Sequence, residues 1–116
     1  MTATNYSFLC EQGASFNEVV TWKNEAGAVI DNTGYTAQMQ VRKEVNDTPA
    51  VAMTTGNGKI VLGGSNGQIQ LLLAASDTAA LTPADYLYDL ELVSPSGVAS
   101  RVLEGVFSVS VEITRS

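Results

Sequence analysis

Asp89 and Glu91 stand two apart in the run Tyr86-Leu87-Tyr88-Asp89-Leu90-Glu91-Leu92. On an extended chain both project from one face, about 6.5–7 Å apart along it. A carboxylate pair at that spacing is what an inverting glycosidase uses. Such chemistry also needs a cleft that raises the pKa of one acid, and nothing nearby in sequence offers one. The pair therefore reads as part of a solvated outer face. Gly56-Asn57-Gly58-Lys59 has the glycines of a phosphate loop without the Walker spacing or the following Ser/Thr, so it reads as a turn. Cys10 could serve as a nucleophile only if a lysine or arginine lowered its pKa, and it reads instead as a small buried hydrophobe. Trp22, Tyr35, Tyr86 and Tyr88 could stack on a sugar, but their positions in the alternating pattern point inward, to core packing. Neither Asp31-Asn32 nor Asn46-Asp47 belongs to a D-x-D-x-D-G calcium loop. The expectation is a protein with no catalytic, cofactor-binding or metal-binding residue.

Composition points the same way. The 116 residues contain no histidine, which removes Ser-His-Asp and Cys-His catalysis and His-ligated metal sites. One cysteine allows neither an internal disulfide nor a zinc site of paired thiolates. Twelve acids against six bases give a net charge of −6. The bases are scattered, with only Arg42 and Lys43 adjacent, so no basic face is available for nucleic acid or an anionic membrane. No apolar run approaches the length of a membrane span, and Met1-Thr2-Ala3-Thr4-Asn5 lacks the features of a signal peptide. Two glycosylation-like triplets, Asn5-Tyr6-Ser7 and Asn46-Asp47-Thr48, carry little meaning without a secretory route. These features lead to the expectation of a soluble protein made in a cytoplasm. Surface scaling gives roughly 6,000 Å² folded against about 17,700 Å² unfolded, enough burial for one domain over residues 1–116.

The elements that must position these residues are short and alternate with period two, broken by Gly, Asn and Pro. Tyr6 to Cys10 predicts a first strand. Phe16 to Trp22 predicts a second, with Phe16, Val20 and Trp22 on one face and Glu18 as the odd member. Asn24-Glu25-Ala26-Gly27 predicts a polar turn, followed by the short apolar patch Val29-Ile30. Tyr35, Ala37, Met39 and Val41 alternate with Thr36, Gln38, Gln40 and Arg42, as a half-buried strand requires. Asn46-Asp47-Thr48-Pro49 predicts a loop, with a short strand over residues 50–53. Asn57-Gly58 and Asn66-Gly67 each begin a similar Ile-containing run, and residues 59–62 and 68–73 predict a hairpin. A short helical turn near residues 76–81 is expected, capped by Ser76, favoured by Asp77 and stopped by Pro83. Two longer strands follow, Tyr86 to Leu92 and a last one placing Leu103, Phe107, Val109, Val111 and Ile113 on one face. The sum is an all-β, immunoglobulin-like β-sandwich of about seven or eight antiparallel strands.

The order of motifs carries a resemblance. Glu11-Gln12-Gly13-Ala14-Ser15-Phe16 leads to Thr21-Trp22-Lys23, then to Asp31-Asn32-Thr33-Gly34-Tyr35-Thr36-Ala37. Gly67-Gln68-Ile69-Gln70-Leu71, Asp77-Thr78-Ala79-Ala80-Leu81, Tyr86 to Leu92 and Arg101-Val102-Leu103-Glu104-Gly105 follow. Over nearly its whole length the chain resembles small β-sandwich structural proteins of tailed bacteriophages. It is similar to the N-terminal domain of phage baseplate upper proteins, which docks onto the tail tip. The resemblance implies a non-enzymatic virion protein, made in the bacterial cytoplasm, that holds other virion proteins in a symmetric multi-copy assembly without nucleic acid or membrane. Baseplate upper proteins continue into a long C-terminal extension, whereas this sequence ends at Ser116. Collar, tail-fibre adaptor and capsid decoration roles are therefore implied alongside the baseplate. The alternative is a carbohydrate- or receptor-binding module of a tail or fibre.

Overall fold

The computed structural model describes residues 4–44 and 48–111. Two sheets face each other. One contains β3 (Phe16–Thr21), β7 (Gln68–Leu73) and β6 (Ile60–Leu62), in that order. The other runs from β1 (Thr4–Asn5) through β9 (Ala99–Ser110), β8 (Ala84–Val93) and β4 (Thr36–Arg42) to β5 (Val51–Thr54), with β2 (Phe8–Glu11) also on β9. The chain crosses between the sheets after β2, after β3, after β5 and after β7, the connectivity of an immunoglobulin-like sandwich. The one α-helix among the described residues, α1 (Ala75–Ala79), bridges β7 and β8.

Alternation places the core. Ala37, Met39 and Val41 of β4, Tyr86, Tyr88, Leu90 and Leu92 of β8, and Ile69, Leu71 and Leu73 of β7 are all buried between the sheets. At one end four rings interlock across the layers. Phe16 of β3 lies 5.8 Å from Phe8 and 5.3 Å from Phe107, and Phe8 lies 5.1 Å from Tyr88. Tilted and edge-on pairs at these distances add to what burial alone contributes.

Several details depart from the sequence reading. The first strand is broken at Tyr6 and Ser7, and both of its halves pair with β9 in parallel, while the remaining strand pairs are antiparallel. The break sits over Gly105. A Cβ there would lie 2.5 Å from the Tyr6 carbonyl oxygen, and the Gly105 φ of 152° also disfavours a side chain. The Tyr6 amide donates to the Glu104 carbonyl at 2.9 Å, and the buried Tyr88 hydroxyl donates to the Tyr6 carbonyl. Helix α1 is shorter than residues 76–81, and Ser76 is not its cap. Ala74 occupies the cap position, where its amide donates to the Asp77 carboxylate at 3.1 Å. In β9 a register shift opposite Leu90/Glu91 lets Val102 and Leu103 both turn inward. Val111 is exposed because β9 ends at Ser110, and Ile113, Asn46 and Asp47 lie outside the described residues.

Asn57-Gly58 leads into β6 and Asn66-Gly67 into β7, as expected, and a 3₁₀ turn (Gly64–Asn66) joins the two strands of this hairpin. Gly67 is needed for close approach as well as for its φ of 68°. A Cβ there would meet Val29 at 2.5 Å and the Ile30 carbonyl at 2.9 Å. Buried Asn32 holds the neighbouring loop to this turn. Its Oδ1 accepts from the Gly64 amide at 2.7 Å and its Nδ2 donates to the Gln68 carbonyl at 3.2 Å.

Candidate docking surface

Most of the side chains singled out for their chemistry are tied up in local contacts or buried. Asp89 and Glu91 lie on the outer face of β8, where Asp89 pairs with Arg101 at 3.5 Å and Glu91 accepts from Gln38 Nε2 at 3.2 Å. Asn57 ties its own turn together. Its Oδ1 accepts from the amides of Thr54 and Lys59, and its Nδ2 donates to the Ala52 carbonyl. Lys59 reaches away from that loop to Asp77, at 3.1 Å. Asp31 caps a local turn, and hydrogen bonds from the Thr33 hydroxyl and amide hold its carboxyl below the usual carboxylate range. Cys10 is fully buried, and burial, with a smaller contribution from Glu11, pushes its thiol up to about 11. Among the described residues no three thiol or carboxylate side chains converge as a metal ion would need.

Trp22, Tyr86 and Tyr88 are core residues, as their spacing indicated, and are too enclosed to form a stacking platform. Trp22 packs edge-on against half-buried Tyr35 at 5.6 Å, and the Tyr86 hydroxyl donates to the Thr82 carbonyl at 2.7 Å. The Trp22 indole N–H is buried and meets no acceptor among the described residues.

What the sequence did not reveal is how differently the two outer faces are furnished. The outer face of the larger sheet presents Arg42, Asp85, Asp89, Glu91, Arg101 and Glu104. Four of them, Arg42, Asp89, Arg101 and Glu104, line a shallow cavity of about 630 Å³ beside Leu87 and Gly105. Across the outer face of the smaller sheet, the strand positions are Asn17, Val19 and Thr21 on β3, Gln68, Gln70 and Leu72 on β7, and Val61 on β6. None is charged. Val19 and Val61 are each about half exposed, at 51% and 47%, on either side of Gln70.

The sandwich is also open along the side where β3 and β1 form the sheet edges. A groove of about 520 Å³ lies there, floored by Val20, Trp22, Val102 and Leu103 and flanked by Thr4 and Tyr6. Phe16 and Trp22 at the two ends of this stretch are buried, but Glu18 and Val20 between them on the same inward face are not fully covered. Alternation alone assigns all four inward; it gives no sign that the partner layer stops short. The arrangement sets a neutral sheet face and an unpaired strand edge side by side. Among the described residues no helix is long and apolar enough to cross a membrane. No family model and no curated protein matches the chain.

Proposed function

We propose that the protein is a non-enzymatic structural unit of a tailed-phage particle, an adaptor or decoration module that docks on repeated virion partners. The observation that carries this reading is the uncharged outer face of β3-β7-β6, adjoining the open edge of β3 in a chain of net charge −6. An acidic protein repels its own copies and most other acidic proteins through its charged faces. A neutral patch joined to free backbone groups is where a neighbour can approach without that penalty. The motif order from Glu11 to Gly105 supports placing such a unit in a virion. A carbohydrate-binding role would call for a platform of several exposed rings; Trp22, Tyr86 and Tyr88 are committed to the core, Tyr35 is half-buried, and among the described residues Tyr6 alone presents an exposed ring.

Quantitative mass spectrometry of gradient-purified particles from the source tests the proposal. The chain is expected in them at a fixed stoichiometry, set by the three-, five- or six-fold symmetry of a tail or capsid. A chain abundant in the infected lysate and absent from particles would overturn the reading.

A further inference from the structure

Strand β3 pairs with β7 on one side only. Its ladder fixes which backbone groups face the other side. The Trp22 amide donates to the Gly67 carbonyl across from it at 2.8 Å, and antiparallel pairs alternate between bonded and non-bonded positions. Phe16, Glu18 and Val20 therefore direct their amides and carbonyls toward β7. Those of Asn17, Val19 and Thr21 point out of the sheet, and no partner meets them among the described residues.

The other edges differ. On β5 the Ala52 carbonyl and the Thr54 amide are both taken by the Asn57 side chain. β1 and β2 are short and interrupted at Tyr6 and Ser7, and β6 has three residues. The longest uninterrupted open edge is that of β3, with six residues.

We propose that β3 is a self-pairing edge, and that two copies of this chain join through antiparallel β3 strands with Val19 opposite Val19 on a two-fold axis. One register satisfies every outward group at once. Val19 exchanges both bonds with its counterpart, and Asn17 exchanges both with Thr21 of the second copy, twice over by symmetry, giving about six bonds. The same register sets apolar against apolar and amide against hydroxyl on the outer face. It runs the uncharged surface continuously across both copies, so two chains of net charge −6 meet where neither presents a charge outward. On the inner face Glu18 lies opposite Val20 of the second copy, over the open groove. The two Glu18 carboxylates are left on a diagonal, about 7–8 Å apart by sheet geometry. An inward-pointing charge on an edge strand is one of the devices that oppose such pairing, so Glu18 works against the contact and limits its strength. A strand-edge contact of this size falls below about 1,200 Å² of total buried area, in the range of weak, reversible association. The inference does not depend on which particle, if any, contains the protein.

Sedimentation equilibrium of the purified chain, at concentrations up to about 1 mM, tests it. A monomer–dimer equilibrium is expected. Glu18→Gln should tighten it several-fold, and Val19→Lys, which sets two ammonium groups across the axis at an exposed position, should weaken it at least tenfold with an unchanged circular dichroism spectrum. In the proposed register the Val19 Cα atoms sit about 5.5 Å apart, within disulfide range. Val19→Cys should then cross-link on mild oxidation, while Val61→Cys, equally exposed on the far strand of the same face, should not. Wild-type and Glu18→Gln proteins that both stay monomeric throughout would overturn the proposal. So would Val19→Lys dimerising like wild type, or Val61→Cys cross-linking as fast as Val19→Cys.

Discussion

Trp22 unites the largest side chain of the sandwich with a donor that meets no acceptor among the described residues. Its ring is buried against Tyr35, so Trp22→Ala should cost about 3–5 kcal/mol in urea unfolding, a large share of a small domain's stability. Trp22→Phe keeps an aromatic ring in place and removes the orphaned N–H, whose burial is itself unfavourable by about 1–3 kcal/mol. It should cost less than half as much. A midpoint that barely moves in the alanine variant would place Trp22 on the surface and return the sugar-stacking reading to consideration. Cys10 is the opposite kind of residue, reactive in type and silenced by position. With its thiol pushed up to about 11 by burial, it should resist a disulfide reagent at pH 8 in native protein and react promptly in denaturant. Fast labelling of the native state would contradict its burial.

Two elements depend on single residues that secondary-structure propensity does not single out. The N-terminal strand bends where the Tyr6 backbone lies on Gly105, so Gly105→Ala must move that backbone as well as accept an unfavourable φ. The expected destabilisation exceeds about 1 kcal/mol, with hydrogen exchange rising in β1 and β2 before the rest of the sheet. Exchange that rises uniformly would mean that the N-terminal strand is not a separable unit. Helix α1, too short to persist by itself, is held by the turn at Gly13 and Ala14 and by Lys59 beside β6. Buried Thr78 accepts from the Gly13 amide at 3.0 Å and donates to the Ala14 carbonyl at 2.8 Å, while Asp77 accepts from the Ala74 amide and pairs with Lys59. Asp77→Ala should cost about 0.5–1 kcal/mol, the scale of a helix-terminus interaction. A thermal melt superimposable on wild type would show the carboxylate contributes nothing.

At the scale of the whole molecule, charge and burial shape the response to pH. Asp31 and Asp77 are held below their ordinary 3.8, Asp31 by Thr33, and Asp77 by Lys59 and the Ala74 amide. Their contribution is present above that value and is lost as pH falls through their lowered folded values. At the alkaline end the signs reverse. Burial pushes the Cys10 thiol up from 9.0 to about 11 and raises the Tyr88 hydroxyl above its ordinary 10.0, so both favour the folded state while neutral. That advantage is intact below the unfolded values and is lost as pH rises through the folded ones. With no histidine to titrate between, the melting temperature should be nearly flat from about pH 5 to pH 8 and fall on either side. A steep slope inside that window would point to a coupling that these groups do not account for.

Period-two alternation by itself determined most of the architecture. The Tyr35–Val41 and Tyr86–Leu92 patterns allow only one face to be buried, and each Asn-Gly pair precedes one strand of the hairpin. It also assigned Trp22, Tyr86 and Tyr88 to the core, because a strand's two faces follow from parity alone. Strand partners do not follow from parity. The parallel pairing of β1 and β2 with β9, the bend over Gly105 and the capping of α1 from Ala74 depend on contacts between residues far apart in sequence. Ser76 has the chemistry of a cap, yet Asp77 already reaches the Ala74 amide and the helix begins one residue earlier. The candidate surface was invisible for the same reason. Asn17, Val19, Thr21, Gln70 and Val61 are unremarkable where they stand in the chain, and become one uncharged face only when β7 brings β3 and β6 to either side of itself. Which face of a strand is apolar is a local property of its residues; which edge stays open depends on where every other strand has gone.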